Sequence, residues 1–114
     1  AGAASVACPL TRRWARTLSD EFKRGDCHAG RYETSLVLAA GKAVRDVARS
    51  LPTLTLSLAD GIRAGKATFD EIGMDRAYTG APSEASREEG EDLYRRLVEM
   101  VVTEVKEALA TRTG

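Results

Sequence analysis

The last third of the chain carries one long helical pattern, which restricts the possible folds more than any other feature. Apolar side chains recur there every three or four residues, the spacing of one helix face; they are Leu93, Leu97, Met100, Val101, Val105 and Leu109. Ser86 and Glu89 precede them at the spacing of a capping box, in which each side chain binds the other residue's backbone amide. The sequence therefore predicts a long C-terminal amphipathic helix that packs against a core.

Two segments have the pattern of strands. Residues 4–8, ASVAC, form a short apolar run between Gly2 and Pro9, which is typical of a buried strand. Residues 53–58, TLTLSL, alternate apolar with hydroxyl side chains, which is typical of a strand with one solvated face.

Shorter helices are predicted around these strands. Trp14, Leu18 and Phe22 recur every four residues, as on a helix face, although a loop anchored by three large side chains has the same spacing. Residues 33–50 are rich in Ala, Leu and Val and predict a helix, with Gly41 as a point of interruption; Leu36, Ala40, Val44 and Val47 share one face. Residues 61–73 predict a turn and a short helix. The order strand, helix, strand, helix predicts an α/β layer protein.

Size, charge and cysteine content narrow the class of protein. A chain of 114 residues makes one domain at most. Its 17 basic residues balance 17 acidic ones, which argues against a nucleic-acid partner. No apolar run approaches the roughly 18 residues that span a bilayer, so no membrane association is expected. The two cysteines match neither a disulfide framework nor a metal-binding spacing, so a reduced, cytoplasmic protein is expected.

Residues 25–35, GDCHAGRYETS, contain the only histidine of the chain. The imidazole of His28 can exchange a proton near neutral pH. Asp26 is the second predicted catalytic residue, because it could fix the tautomer of His28 or tune the local charge. Glu33 would be ionised at the start of a helix. This combination suits metal-assisted hydrolysis. The alternative is a polar loop that leads into a helix, with Cys27 as an inert side chain, because no second histidine could activate it as a nucleophile.

The same stretch resembles the D-x-HAG-x-x-ETS signature of the creatininase (creatinine amidohydrolase) family. A second segment resembles that family's sequence of an aromatic residue, G-x-P and E-x-G before a long helix; the matching residues are Tyr78, Gly80, Pro82, Ala85, Glu88 and Gly90. The resemblance implies that residues 1–114 are the C-terminal portion of a single creatininase-like domain. It also implies a three-layer α/β/α fold that ends in the long helix.

The resemblance implies hydrolysis of a C–N bond in a cyclic amide, a formamide or a peptide. Family members carry out this reaction with a pair of divalent metal ions, such as zinc, manganese or iron. His28 corresponds to the histidine that transfers a proton. Glu33 corresponds to a glutamate that ligates metal or orients its surroundings, and Asp26 and Arg31 to residues that line the pocket.

Three residues are predicted to bind the substrate. Arg31 suits a phosphate or a carboxylate, and Tyr32, like Trp14, suits stacking on a planar heterocycle. Cys27 stands where some family members have an acidic residue, which argues against creatinine itself as the substrate.

The chain departs from the family in its metal ligands. The main ligands of the family lie in the N-terminal half, in an E-x-H segment, a following aspartate and an N-G-H segment, and this sequence has none of them. The chain also begins with Ala1 rather than Met. We therefore expect a subunit, a cleavage product or a segment of a longer protein, which an N-terminal half completes. The resemblance implies a homo-oligomer, a hexamer in most members.

Two alternatives to an enzyme remain open at this point. One is a non-catalytic half-domain that serves assembly or small-ligand binding. The other is a small interaction domain whose C-terminal helix binds a partner through its apolar stripe, although such a stripe more commonly packs in a core.

Overall fold

A computed structural model describes residues 4–44 and 46–113, and this part of the chain is built from helices and loops. It contains the helices α1 (Arg12–Leu18), α2 (Asp20–Arg24), α3 (Arg31–Ala39), α4 (Leu58–Arg63), α5 (Phe69–Ile72) and α6 (Arg87–Thr113). Single 3-10 turns lie at Asp46–Ser50 and Pro82–Glu84. Extended pairing in these ranges is limited to two isolated antiparallel bridges, His28 with Thr79 and Leu54 with Gly80.

The predicted α/β class, and with it the three-layer α/β/α fold, is wrong for this chain. The described ranges contain no strand and no sheet. Residues 4–8 are not paired as a strand, and residues 53–58 contribute one bridge. A strand is stable only when a neighbouring strand satisfies its backbone groups, and a local apolar run does not reveal whether that neighbour exists.

The alternating segment 53–58 leads into a helix, because its last two residues are the N-cap and the first residue of α4. Leu54 pairs with Gly80 through two backbone hydrogen bonds of 3.0 and 2.8 Å. Three residues later the chain turns, because the Ser57 hydroxyl accepts a hydrogen bond of 3.1 Å from the amide of Asp60 and caps α4. The hydroxyl that we assigned to the wet face of a strand is therefore the N-cap of a helix.

The predicted helical character of residues 14–22 is confirmed, with a break at Ser19. Its extended backbone ends α1, and its hydroxyl accepts a hydrogen bond of 3.2 Å from the amide of Glu21 to start α2. Leu18 is buried and Phe22 packs against the same core cluster. The two helices therefore bring one apolar face to the centre of the molecule.

The helix predicted for residues 33–50 is interrupted where expected. α3 ends at Ala39, and Gly41 has a φ of +77°, a backbone conformation that favours glycine. The prediction is wrong beyond that point, since residues 46–50 form a 3-10 turn and Val47 is 45% exposed. The short-helix prediction for residues 61–73 is confirmed by the end of α4 and by α5.

The core lies where α3 crosses the first turns of α6. Leu18, Tyr32 and Leu93 form its buried centre. Gly90 allows the close crossing, because a Cβ atom there would collide with the backbone of Ser35. The absence of a side chain at this position sets the distance between the two helices.

The N-terminus of α6 keeps half of the predicted capping box. The Ser86 hydroxyl accepts a hydrogen bond of 3.1 Å from the amide of Glu89. The Glu89 carboxylate does not return to Ser86 but accepts a bond of 2.7 Å from Arg31. The amide of Ser86 instead donates to the Ser35 hydroxyl at 3.2 Å, which joins α6 to α3.

The apolar stripe of α6 is buried over its first half alone. Leu93 and Met100 are buried and Leu97 is partly buried, as predicted for a core-facing helix. The prediction is wrong for Val101 and Val105, which are 47% and 51% exposed, and Leu109 is exposed as well. Within the described ranges, no helix combines the length and apolar character needed to cross a membrane.

Candidate functional site

A buried glutamate joins the two segments that carry the family resemblance. The side chain of Glu21, at the start of α2, is 1% exposed. Its carboxylate accepts backbone hydrogen bonds of 2.8 Å from Arg31, 2.9 Å from Tyr32 and 2.8 Å from Ala81. Two of these donors lie in the HAG-x-x-ETS stretch and the third in the G-x-P stretch. Glu21 therefore connects the two stretches directly.

The carboxylate of Glu21 acts as the N-cap of α3. Gly30 precedes that helix and has no side chain to bind the free amides of the first turn. A negative charge at this end of a helix is favourable. A Cβ atom at Gly30 or at Gly80 would collide with the Glu21 carboxylate, and Gly80 also has a φ of +83°. The motif glycines therefore make room for the buried acid.

The peptide unit between His28 and Ala29 is held at its carbonyl and at its amide. The carbonyl of His28 accepts a hydrogen bond of 3.0 Å from the amide of Thr79. Ala29 has a φ of +51°, which is uncommon for a residue other than glycine. The carboxylate of Glu33 accepts the amide hydrogen of Ala29 and so stabilises this turn. The imidazole itself is half-buried and lies against Phe69, with ring centroids 4.8 Å apart.

Asp26 lies two residues before His28, but its buried carboxylate binds Arg24 rather than the imidazole. Its side chain is 1% exposed, and Oδ2 accepts a hydrogen bond of 3.0 Å from Arg24 Nε. Its Oδ1 atom has no hydrogen-bond partner among residues 4–44 and 46–113. Within those ranges no hydrogen bond joins Asp26 to His28, so Asp26 does not fix the tautomer of the imidazole there. Its catalytic role stays a prediction.

Cys27 and Tyr32 face the apolar interior rather than a polar cleft. Burial, together with the nearby carboxylates of Glu21 and Glu33, raises the pKa of the Cys27 thiol to about 12. Burial also raises the pKa of Tyr32 to about 12, and its ring meets Phe22 edge-on at 4.9 Å. Both groups are neutral near pH 7, and their predicted role in substrate binding stays a prediction.

Arg31 is the predicted site residue that lines a polar cleft. Its guanidinium pairs with Glu89 at 2.7 Å and with Glu84 at 3.2 Å, and the hydrogen bond to Glu89 raises the pKa of Arg31. The cleft has a volume of about 400 Å³. Its charged lining comprises Arg16, Arg24, Arg31, Arg96, Asp20, Glu21, Glu84, Glu89 and Asp92. His28 is not part of this lining, so the predicted residues do not all face one cavity.

The described residues do not fit a divalent metal ion by themselves. Residues 4–44 and 46–113 contain no group of three histidine, cysteine, aspartate or glutamate side chains close enough to bind one ion. Glu33 is exposed, but one of its two carboxylate oxygens already accepts the amide of Ala29. A lone carboxylate oxygen does not make a metal site. Any metal would need most of its ligands from outside this part of the chain.

No sequence pattern indicated that Glu21, Thr79 and Phe69 belong to the site. Glu21 and Thr79 form hydrogen bonds with backbone amides and carbonyls near the site. Every residue type has these groups, so the sequence does not indicate which of them a side chain will bind. A signal did exist for the helix that contains Phe69, since Thr68 and Glu71 have capping-box spacing. The contact of Phe69 with His28 follows from the tertiary structure alone.

Comparison with known proteins supports the resemblance carried by these motifs. A family model described as Creatininase, creatinine amidohydrolase, matches residues 3–105. The match spans most of the chain, including both motif segments and every predicted site residue. No curated protein and no solved structure matches the chain.

Proposed function

This chain belongs to the creatininase family, and on that premise we propose that it forms part of an amidohydrolase with His28 as its proton shuttle. Family membership indicates hydrolysis of amide bonds, and the family is generally metal-dependent. The proposed substrates are compounds with a cyclic amide, a formamide or a peptide C–N bond.

The restrained position of His28 carries this proposal. The peptide unit that joins His28 to Ala29 is held at both of its polar groups: Thr79 binds the carbonyl through a hydrogen bond of 3.0 Å, and Glu33 binds the amide. A left-handed alanine is an unfavourable backbone conformation, and such conformations cluster at functional sites, which supports a role for this turn. Held in this way, the imidazole can accept a proton near the scissile bond and pass it to the leaving nitrogen.

The neighbouring residues are assigned supporting roles. One carboxylate oxygen of Glu33 holds the turn at Ala29. The other is proposed to ligate a metal ion or to orient the residues around that ion. Arg31 is proposed to bind a carboxylate or phosphate of the substrate in the polar cleft, where the anion would take the place of Glu84 or Glu89 at its guanidinium. Asp26 keeps its role as the buried acid of the motif, with Oδ1 open to a donor from outside the described ranges.

Metal ions and partners are proposed to come from outside this chain. A pair of divalent ions, zinc, manganese or iron, does not fit the described residues alone. We therefore assign their ligands to an N-terminal half, present as a separate chain or as another segment of the same protein. A homo-oligomer, hexameric as the resemblance implies, and a cytoplasmic location complete the proposal.

Substitution of His28 tests the proposal in the assembled protein. His28→Ala is expected to lower amide hydrolysis by at least 100-fold, the usual minimum contribution of general acid–base catalysis. Metal content, measured by elemental analysis, should stay the same, because His28 is not assigned as a ligand. Lys106→Ala, an exposed change on α6, is the control and should keep full activity. Full activity of His28→Ala would contradict the assignment.

A second candidate, a non-catalytic half-domain, is favoured by the lack of a three-ligand group in the described ranges. Native mass spectrometry of the protein from its source separates the two. A complex with a second chain and bound metal supports the hydrolase. A metal-free chain that hydrolyses no amide, even with added divalent metal, supports a role in assembly or ligand binding.

A further inference from the structure

The imidazole of His28 has an aromatic neighbour that belongs to neither family motif. The ring of Phe69, the first residue of α5, lies 4.8 Å from the imidazole, centroid to centroid, at an interplanar angle of 52°. Phe69 is 36% exposed, so its ring is not simply part of the buried core. Burial therefore stabilises the position of Phe69 less than that of a core residue, and does not by itself account for the ring contact.

The ring of His28 is oriented by packing rather than by hydrogen bonds. Within residues 4–44 and 46–113, neither ring nitrogen has a hydrogen-bond partner, and no carboxylate pairs with the imidazole. In most sites a hydrogen bond to one ring nitrogen fixes the orientation and the tautomer of a histidine. Here the backbone is held by Thr79, and the ring contact that remains is the one with Phe69.

The helix that presents Phe69 is fixed at both ends. At its start, the Thr68 hydroxyl accepts the amide of Glu71 at 3.2 Å, and the Glu71 carboxylate accepts the amide of Ala67 at 2.6 Å. At its end, the amide of Met74, a residue 1% exposed, donates to the carbonyl of Phe69 at 2.8 Å. Four residues would not form a stable helix alone, so these contacts are what keeps α5, and with it Phe69, in place.

The same helix is also anchored against its neighbour. The side chain of Ile72 packs directly on Gly61 of α4, where a Cβ atom would be only 2.7 Å from Ile72. α4 in turn is joined to the motif loop, because the amide of Leu58 donates to the carbonyl of Gly25 at 2.8 Å. The support of Phe69 and the support of His28 are therefore parts of one packed unit.

We propose that Phe69 is a positioning residue for His28, holding the imidazole by ring contact while both of its nitrogens remain free for proton transfer. The inference rests on the proposed function of His28 as a proton shuttle. A hydrogen bond would occupy one nitrogen, whereas an aromatic contact restricts the ring without doing so. A misplaced catalytic group lowers the rate by up to about 100-fold without any loss of substrate contacts.

Nuclear magnetic resonance tests the contact directly, because the chain has one histidine. In the protein as purified, with any partner that accompanies it, the His28 ring protons should be displaced from their random-coil shifts by the ring current of Phe69. Phe69→Leu should remove this displacement and Phe69→Tyr should keep it. Phe22→Leu removes the other phenylalanine of the chain, which pairs with Tyr32 rather than with His28, and should also keep it.

Kinetics of the active assembly test the role. Phe69→Leu should lower kcat by about 10- to 100-fold with little change in KM, and Phe69→Tyr should restore most of the rate. Unchanged histidine shifts in Phe69→Leu would overturn the inference, and so would lost shifts with an unchanged kcat. A wild-type protein without amide hydrolysis would overturn the proposed function instead, while the spectra would still decide whether Phe69 orients the ring.

Discussion

Two regions of the molecule have similar sequence patterns and very different surroundings. We call the first the junction, where Glu21, Tyr32, Ser35, Gly90 and Leu93 bring α2, α3 and the start of α6 together. The second is the outer half of α6, from residue 101 to residue 113. Both contain apolar residues at helical spacing and charged residues that form hydrogen bonds. The junction is buried, whereas the apolar side chains of the outer half are about half exposed.

Burial, rather than sequence pattern, therefore sets how much each side chain contributes to stability. An apolar contact stabilises a protein in proportion to the apolar area that it removes from water. Loss of a hydrogen-bond partner costs most where the polar group that remains is buried. Comparable substitutions should therefore have large effects in the junction and small ones in the outer half.

Removal of an apolar side chain is expected to give the largest contrast. Leu93 is 2% exposed, so Leu93→Ala should lower the free energy of unfolding by about 3 to 4 kcal/mol. Val105 is 51% exposed, and Val105→Ala should change stability little because alanine is the better helix former. Urea unfolding followed by circular dichroism measures both. A loss at Val105 as large as that at Leu93 would mean that the outer half is buried in solution.

Replacement of a glutamate by glutamine compares a buried polar group with an exposed one. Glu21→Gln should destabilise the protein by about 2 to 3 kcal/mol, because three backbone amides, two of them in buried hydrogen bonds, lose a charged acceptor. Glu107 also accepts two hydrogen bonds, of 2.8 and 2.7 Å from Arg13, but both side chains are about half exposed. Glu107→Gln should therefore leave the unfolding curve unchanged. Equal effects of the two substitutions would contradict the importance of burial at the junction.

Alkaline pH should give a smaller, directional effect at the junction. Burial raises the pKa of Tyr32 from its ordinary value of 10 to about 12, so the fold favours the neutral phenol. That stabilisation is complete below pH 10 and is lost as the pH rises toward 12. Tyr32→Phe should therefore have a flatter stability profile in this range than the wild type.

The alkaline experiment needs two controls. Tyr94 lies on the exposed side of α6, and Tyr94→Phe should keep a profile close to that of the wild type. Cys27 also has a pKa raised to about 12, so the series is repeated with Cys27→Ala in every variant. A Tyr32→Phe profile as steep as the wild-type profile would contradict the assignment of the effect to Tyr32.

The helices were predictable to the extent that they depend on local signals. Ser86 and the apolar repeat from Leu93 onward predicted α6, and Gly41 predicted the end of α3, because caps, breaks and helix faces depend on residues within a few positions. The strands were not predictable in this way. Ser57 has the same alternating context as a strand residue, and its role as a helix cap depends on where the chain turns.

The sequence by itself determined the family, the motif with its single histidine, and the long C-terminal helix. The tertiary structure decided the rest: that Glu21 joins the two motifs, that Phe69 meets His28, and that α6 is buried along its first half alone. The physical reason is the range of the interactions. Helix periodicity and capping act between residues a few positions apart, whereas a buried carboxylate bound to distant backbone amides carries no local pattern.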